Sequence, residues 1–486
     1  AEKMSYLGID LGTSGLRALL VNNFGTPIAS VERYYSVNSP HPGWSEQNPS
    51  DWIKALNSAI AELNENHTEF SNLRGIGVAG HMHGATLLDK NGDVLRPCIL
   101  WNDTRSETQA AALDKQIGIR EVSGNVVFPG FTAPKLLWVR EHEPEVFSKV
   151  AKVLLPAGYL NYYLTGEYVA DFSDGAGTSW LDIEKRSWSE MLLEASCLRI
   201  EQMPRLLEGS SVAGYVKSEV LQEWAISGEV LVAGGAGDNA AAACGIGAVE
   251  DGDAFISIGT SGVILTARNK YSPAPETAIH TFCHAVPDLW YQMGVMLSAT
   301  DCLNWLSRIM EKSPHDLINA LGEDVKPPSK VRFFPYLSGE RTPYNDSQIR
   351  AAFSGLSKAT CQEDITRAVL EGVAFGLKNS FEALKLTGEA PLRMMAIGGG
   401  SASLYWIRLI ATCLDVSLDL PIGREFGAAL GSARLAIVAS GSIGRGEIMV
   451  KPQVKETVEP SPTLRDIMAE SCQSFHEAYA HLKAIQ

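Results

Sequence analysis

After Pro49 the apolar residues Trp52, Ala55, Leu56, Ala59, Ile60 and Leu63 recur at helical spacing, and Ser50-Asp51 supplies a helix start. Short unbroken apolar runs predict buried strands over 73–79, 85–88, 98–100 and 394–397, with a turn at Asn91-Gly92 after the second. The spacing predicts further helices over 364–377 and 404–414, and a last one from about Thr463. Strands alternating with helices, in sheets of mixed direction, indicate an α/β fold.

One pattern occurs twice. Residues 7–15 read Leu-Gly-Ile-Asp-Leu-Gly-Thr-Ser-Gly, and residues 256–262 read Ile-Ser-Ile-Gly-Thr-Ser-Gly. Each is an apolar run, a Gly-Thr-Ser-Gly turn and a second β-rich run, over 16–21 and 263–266, which predicts a hairpin. A repeat about half a chain apart predicts two related halves, each led by a hairpin. The boundary is expected near Ala248-Val249-Glu250-Asp251-Gly252, giving domains 1–248 and 249–486.

Composition narrows the class. The 486 residues are 45% apolar and 20% charged, enough for a sizeable core and unlike a disordered tail. A net charge of −15 without a basic block disfavours nucleic acid as a partner. It does not exclude ATP, whose phosphates can be met by backbone amides and Mg2+. The 8 Cys show no C-x-x-C spacing, so neither a zinc knuckle nor a disulfide framework is indicated, which suits a reducing cytosol. No uninterrupted apolar run of about 18 residues and no signal-peptide layout is present, so the expectation is a cytoplasmic protein with no membrane partner. Ala1-Glu2-Lys3 before Met4 reads as an added or frayed start.

The glycine turns carry the first candidate chemistry. Phosphates need dense N–H donors at close approach, and glycine gives access to the backbone. Asp10-Leu11-Gly12-Thr13-Ser14-Gly15 adds an acid at a strand end, placed to hold Mg2+ through water, and two hydroxyls in the turn. Gly259-Thr260-Ser261-Gly262 would meet phosphate from the other half; an ordinary hairpin turn is the plain alternative. Met394-Met395-Ala396-Ile397 runs into Gly398-Gly399-Gly400 and a helix beginning near Ser401 or Ser403, where a flat base could approach the backbone. This is not a Rossmann fingerprint, and the Gly-Lys-Ser/Thr of a P-loop is absent from the chain.

Asp238 emerges from Gly234-Gly235-Ala236-Gly237 at the start of a small-residue helix. It is either a helix cap or an acid/base facing a cleft. His81-Met82-His83 follows a strand end; i and i+2 positions on extended chain point apart, so one buried and one accessible His is expected and a shared metal is not. His280 and His284 lack further ligands at metal spacing. Trp101-Asn102-Asp103 with Arg105 is either a loop-capping network or part of a sugar pocket.

Taken together these segments resemble the actin/hexokinase/Hsp70 ATPase superfamily, and more finely its FGGY carbohydrate kinases. The likeness rests on Ile9 to Gly15, His41-Pro42-Gly43-Trp44-Ser45-Glu46-Gln47, Met82 to Asp89, Ile99 to Asp103 and Pro129-Gly130-Phe131-Thr132-Ala133-Pro134-Lys135. It continues through Gly237 to Ala240, Pro335 to Pro343 and Arg367 to Val373, and so spans nearly the whole chain.

The resemblance implies two actin-like domains flanking a deep catalytic cleft, with sugar bound mainly by the first and ATP mainly by the second. It implies that Asp238 is the base that takes the sugar hydroxyl's proton and that Asp10 positions Mg2+ and nucleotide. Gly12, Thr13, Ser14, Gly259, Thr260 and Ser261 would lie at the phosphates, and Gly399, Gly400 and Ser403 at the adenosine. Met82 and His83 would contact the sugar, with Trp101, Asn102, Asp103 and Asn239 nearby. Glycerol kinases carry Arg-Glu where this chain has Met82-His83, so the implied substrate is D-xylulose, converted to its 5-phosphate, rather than glycerol. Ribulose, a deoxy sugar or a polyol are the alternatives within the family, and a nucleotide-driven binding protein of the actin/Hsp70 type is the alternative outside it. A homodimer is implied by resemblance only. His81 stands where Gln is frequent in these kinases, and Ala236 where a third Gly is common.

Overall fold

The computed structural model describes residues 3–423 and 427–486; Ala1 and Glu2, of the three residues ahead of Met4, lie outside the described residues. The chain divides into two compact units. The first gathers Ala1–Val249, Phe282–Trp290 and Gly423–Pro452, the second Glu250–Thr281, Tyr291–Ile422 and Gln453–Gln486.

In the first unit, Ser5–Leu11 and Gly15–Asn22 form the expected antiparallel hairpin, which Pro27–Tyr34 extends. Ser5–Leu11 also runs parallel to Leu73–Gly80, and Leu231–Ala233 continues the sheet in parallel beyond it. Helix Pro49–Asn66 covers one face. Its buried residues include the whole stripe Trp52, Ala55, Leu56, Ala59, Ile60 and Leu63, with Pro49 in the first turn and Asn48, rather than Ser50, at the N-cap.

A single cut after residue 248 does not describe these units, because Phe282–Trp290 and Gly423–Pro452 return to the first. The physical reason for the second return is helix Ala428–Ser440. It lies across the sheet so closely that a β-carbon at Gly8 would overlap the Ala429 carbonyl oxygen. On its other side Gly431 meets the Ala241 carbonyl of helix Asp238–Ile246 with no room for a side chain. Such packing needs glycine at the crossing points, and it binds a late segment to the earliest strands.

The second unit repeats the opening. Ala254–Ile258 and Gly262–Arg268 form an antiparallel hairpin, and Ala254–Ile258 runs parallel to Arg393–Ile397. Ser417–Pro421 follows in parallel, and Val454–Val458 closes that side antiparallel. The long helix Gln362–Lys385 outruns its expected 364–377 at both ends. Its start is capped by the Asp364 carboxylate, which accepts the Cys361 N–H at 3.0 Å. Helix Leu404–Leu414 has the bounds its apolar spacing predicts, and the last helix is Arg465–Ile485. The protein is thus α/β, with two units built on the same hairpin-plus-parallel-strand plan. Among the described residues no helix is long and apolar enough to cross a membrane.

Candidate active site

The first hairpin ends in a braced turn. Gly12 N–H donates to the Gly15 carbonyl at 2.9 Å, closing it. Tyr35 Oη donates to the Gly12 carbonyl and Gln47 Nε2 to the Thr13 carbonyl, while Trp101 Nε1 donates to Thr13 Oγ1 at 2.9 Å. Ser14, at the tip, is exposed. Asp10 sits opposite Arg17 in the hairpin register. Burial lifts its carboxyl to about 6, and Arg17 offsets only part of that.

Asp238 lies in the same unit. Ala236–Gly237 pairs in parallel with Ala79 and Gly80, which puts the start of helix Asp238–Ile246 beside the strand end that leads into His81-Met82-His83. The helix cap is Gly237, not Asp238. The Asp238 carboxylate accepts the neighbouring Asn239 N–H at 2.9 Å and is otherwise desolvated. Burial, then the negative field of Asp10, raises it to about 7. A carboxyl poised near neutrality suits proton transfer better than capping.

The junction ahead of Asp238 is held by residues the sequence reading passed over. Ser173 Oγ donates to Asp171 Oδ2 at 2.6 Å and accepts the Gly237 N–H at 3.1 Å. Asp171 caps the turn Phe172–Gly175 through the N–H groups of Ser173 and Asp174. Asp174 is buried, and burial with the fields of Asp171 and Asp238 raises its carboxyl well above the usual range. The Asp-Phe-Ser-Asp string was legible as a capping motif, but nothing local tied it to a glycine some 60 residues later.

The pair of histidines behaves as expected. His81 is buried edge-on to Trp52, its ring centroid 5.7 Å away, and burial lowers its pKa to about 4. His83 is partly exposed and has φ of 75°, a left-handed conformation that costs a β-carbon-bearing residue of order 1–3 kcal/mol. It is held there from three sides. Its Nδ1 lies 2.7 Å from the Gly177 carbonyl, its own carbonyl accepts Thr132 Oγ1 at 3.0 Å, and its ring stacks on Phe131 at 4.4 Å. Met82 packs on the Asp238 junction, where a β-carbon on Gly237 would stand 2.9 Å from Met82 Cγ. Met82, His83, Asp238 and Asn239 are therefore neighbours in space as proposed sugar contacts must be.

Trp101 and Asn102 are exposed, and Asp103 is not. Asp103 is 1% accessible; Arg105 Nη2 donates to its Oδ2 at 2.7 Å, and the Ser45 N–H donates to the same oxygen at 2.6 Å. Arg105 in turn pairs with Glu46 at 2.8 Å and lies over the Trp44 ring at 3.8 Å. The loop-capping alternative describes Asp103: it braces the segment that presents Trp101, and it does not line an accessible surface.

In the second unit the repeat turn is tied to the following helix. The N–H groups of Ala299 and Thr300 donate to the carbonyls of Thr260 and Gly259 at 2.8 and 2.9 Å. Helix Thr300–Met310 thereby starts at the turn. A cavity of about 710 Å³ opens beside it, lined by Thr300, Leu303, Asn304, Gly399, Gly400 and Ser403 among others. Gly398 takes φ of 89° against the Ile258 backbone, whereas a β-carbon on Gly399 would meet nothing within 4 Å. The first glycine makes the turn and the second leaves open space for a ligand. Ser403 caps the helix, its hydroxyl accepting the Trp406 N–H at 3.2 Å. Asn304 and His315, which also lines the cavity, come from helices whose apolar spacing gave no functional signal.

Residues 5–245 match the N-terminal domain of the FGGY family of carbohydrate kinases, and residues 254–440 match its C-terminal domain. The chain belongs to the FGGY family of carbohydrate kinases. It is 44% identical over 437 residues to a xylulose kinase of Escherichia coli, covering 90% of each chain. A xylulose kinase of Klebsiella pneumoniae is 46% identical over 436 residues, 89% of this chain and 90% of that one. Among solved structures, a xyloylose kinase from Brucella ovis superposes with a TM-score of 0.97 at 50% identity, over 99% of this chain and 100% of that one. A Plasmodium falciparum glycerol kinase, at 19% identity and a TM-score of 0.89, shares the fold. Membership gives the twin hairpins their context: in this FGGY kinase, as in the actin-like ATPase fold at large, each unit opens with a glycine turn on its first two strands. The metal-like spacing of His280 and His284 has a simpler basis. His284 Nε2 lies 3.0 Å from the Ala248 carbonyl, and among the described residues no group of three or more His, Cys, Asp or Glu side chains could hold a metal.

Proposed function

We propose that this FGGY kinase transfers the γ-phosphoryl group of ATP to D-xylulose, giving D-xylulose 5-phosphate. The observation that carries the mechanism is the grouping of Met82, His83 and Asp238, with the Asp238 carboxyl raised to about 7. The substrate itself is carried over from the relatives' activity, which their identity over about nine-tenths of the chain supports.

Asp238 orients the sugar hydroxyl and accepts its proton as the new oxygen–phosphorus bond forms and the bond to the ADP oxygen breaks. Phosphoryl transfer depends mostly on such positioning and on charge neutralisation. Met82 and His83 contact the sugar, with Trp101, Asn102 and Asn239 alongside. Gly12, Thr13 and Ser14 of the first unit and Gly259, Thr260 and Ser261 of the second serve the phosphates. Gly399, Gly400 and Ser403 serve the adenosine. Asp10 fits a magnesium ion: its carboxyl is raised by burial and lies in the field of Asp238, so a cation there relieves an unfavourable charge pair. Bound with ATP, that ion would neutralise phosphate charge.

ADP release over a panel of ketopentoses, glycerol and no sugar tests the proposal. Strong stimulation by D-xylulose, lost in Asp238→Ala while ATP still binds, is the expected result. Stimulation by ribulose or a polyol instead replaces the substrate and keeps the mechanism. ATP turnover indifferent to every sugar sinks the kinase reading in favour of a nucleotide-driven binding protein.

A further inference from the structure

Lys135 is fully buried in the first turn of helix Thr132–His142. Its Nζ donates to the carbonyls of Gly130 at 2.7 Å, Pro129 at 3.2 Å and Phe131 at 3.4 Å. An ammonium has three N–H groups, and here three consecutive carbonyls take them. Removing that charge from water costs several kcal/mol, and an apolar side chain of similar length would fill the space without the cost. Burial accordingly pushes the Lys135 pKa down to about 7, with Arg105 adding to the fall and Asp103 and Cys98 opposing it.

The gathered segment touches two proposed sugar contacts. Phe131 stacks on the His83 ring with planes 19° apart, and the next residue, Thr132, donates to the His83 carbonyl. Gly130 lies so close to the Trp101 carbonyl oxygen that a β-carbon would overlap it. His83 needs such support, since its left-handed backbone is strained and would relax if the ring were released.

We infer that Lys135 is a positioning residue for sugar binding, acting by clamping carbonyls 129–131 so that Phe131 and Gly130 fix His83 and Trp101. The inference rests on the sugar-kinase reading above. It distinguishes Lys135 from a general stabiliser, because the clamped segment serves the sugar contacts and none of the proposed ATP contacts.

Steady-state kinetics of wild type, Lys135→Met, Phe131→Leu and the double variant test it. The wild-type response to D-xylulose is read first: no stimulation there overturns the kinase reading, independently of Lys135. With stimulation present, Lys135→Met is expected to raise the KM for D-xylulose at least tenfold and leave the KM for ATP within twofold. Phe131→Leu should raise the sugar KM alone, by a smaller factor. The double variant should be no worse than Lys135→Met, because both changes release the same ring. Equal effects on the two KM values, no effect on the sugar KM, or factors that multiply in the double variant would each overturn the inference. Should Lys135→Met not accumulate as folded protein, Lys135→Gln, which keeps two N–H donors, carries the same comparison with a smaller expected factor.

Discussion

Asp238→Asn is expected to abolish turnover and to stabilise the fold in one step. Burial and the field of Asp10 lift this carboxyl from 3.8 to about 7. Between those values the folded chain holds a proton that the unfolded chain has released. The native state therefore binds more protons, and stability falls as pH rises through the window. A shift of roughly three units corresponds to ~4 kcal/mol as an upper bound, at about 1.4 kcal/mol per unit. The side chain is partly exposed, and solvent screening reduces the expected cost to about 1–2 kcal/mol. An amide of the same shape carries no charge and escapes that cost, so at pH 8 the variant should melt about 3–6 °C above wild type. At pH 5 the folded wild type already keeps its proton, and the difference should shrink to under about half. Calorimetry of both proteins at the two pH values, with ADP release measured alongside, checks the pair of outcomes. Transfer should fall by about 10²–10⁴-fold. A variant that melts below wild type at pH 8, or gains equally at both pH values, refutes the reasoning; the carboxylate would then be held by favourable partners.

Two further outcomes are expected. The kcat/KM for sugar should fall below neutral pH, since at pH 6 only about a tenth of the molecules carry ionised Asp238, and steepen further as Asp10 takes its proton near 6; a profile flat down to pH 5 excludes Asp238 as the base. Gly431→Ala should destabilise the first unit by about 1–3 kcal/mol or more in urea unfolding, because its β-carbon meets the Ala241 carbonyl, whereas Gly399→Ala, facing open space, should stay within about 0.5 kcal/mol; equal effects would mean that helices Asp238–Ile246 and Ala428–Ser440 are not packed as described.

Local pattern carried much of the fold. The stripe from Trp52 to Leu63 is buried as its spacing requires, and Leu404–Leu414 ends where its apolar run ends. These signals are periodic, and a helix must bury its apolar face wherever it packs. The twin Gly-Thr-Ser-Gly turns were legible for a related reason: few sequences other than a hairpin turn place glycine, hydroxyls and flanking β-runs in that order. The same local logic misjudged Asp103. An Asp in a polar loop looks alike in sequence whether its carboxylate faces solvent or, as here, is consumed by Arg105 and the Ser45 amide.

The amino-acid sequence by itself determined the element types, the repeat and the identity of Asp10, Asp238 and the glycine turns, because these depend on neighbours within a few positions. Tertiary structure alone decided which distant groups share a field. It brought Ser173 to the Gly237 amide and the Lys135 clamp to His83. It also returned helix Ala428–Ser440 to the strands at the start of the chain. Desolvation and Coulomb interaction act through space, so a carboxyl raised to about 7 beside another carboxyl has no signature along the chain.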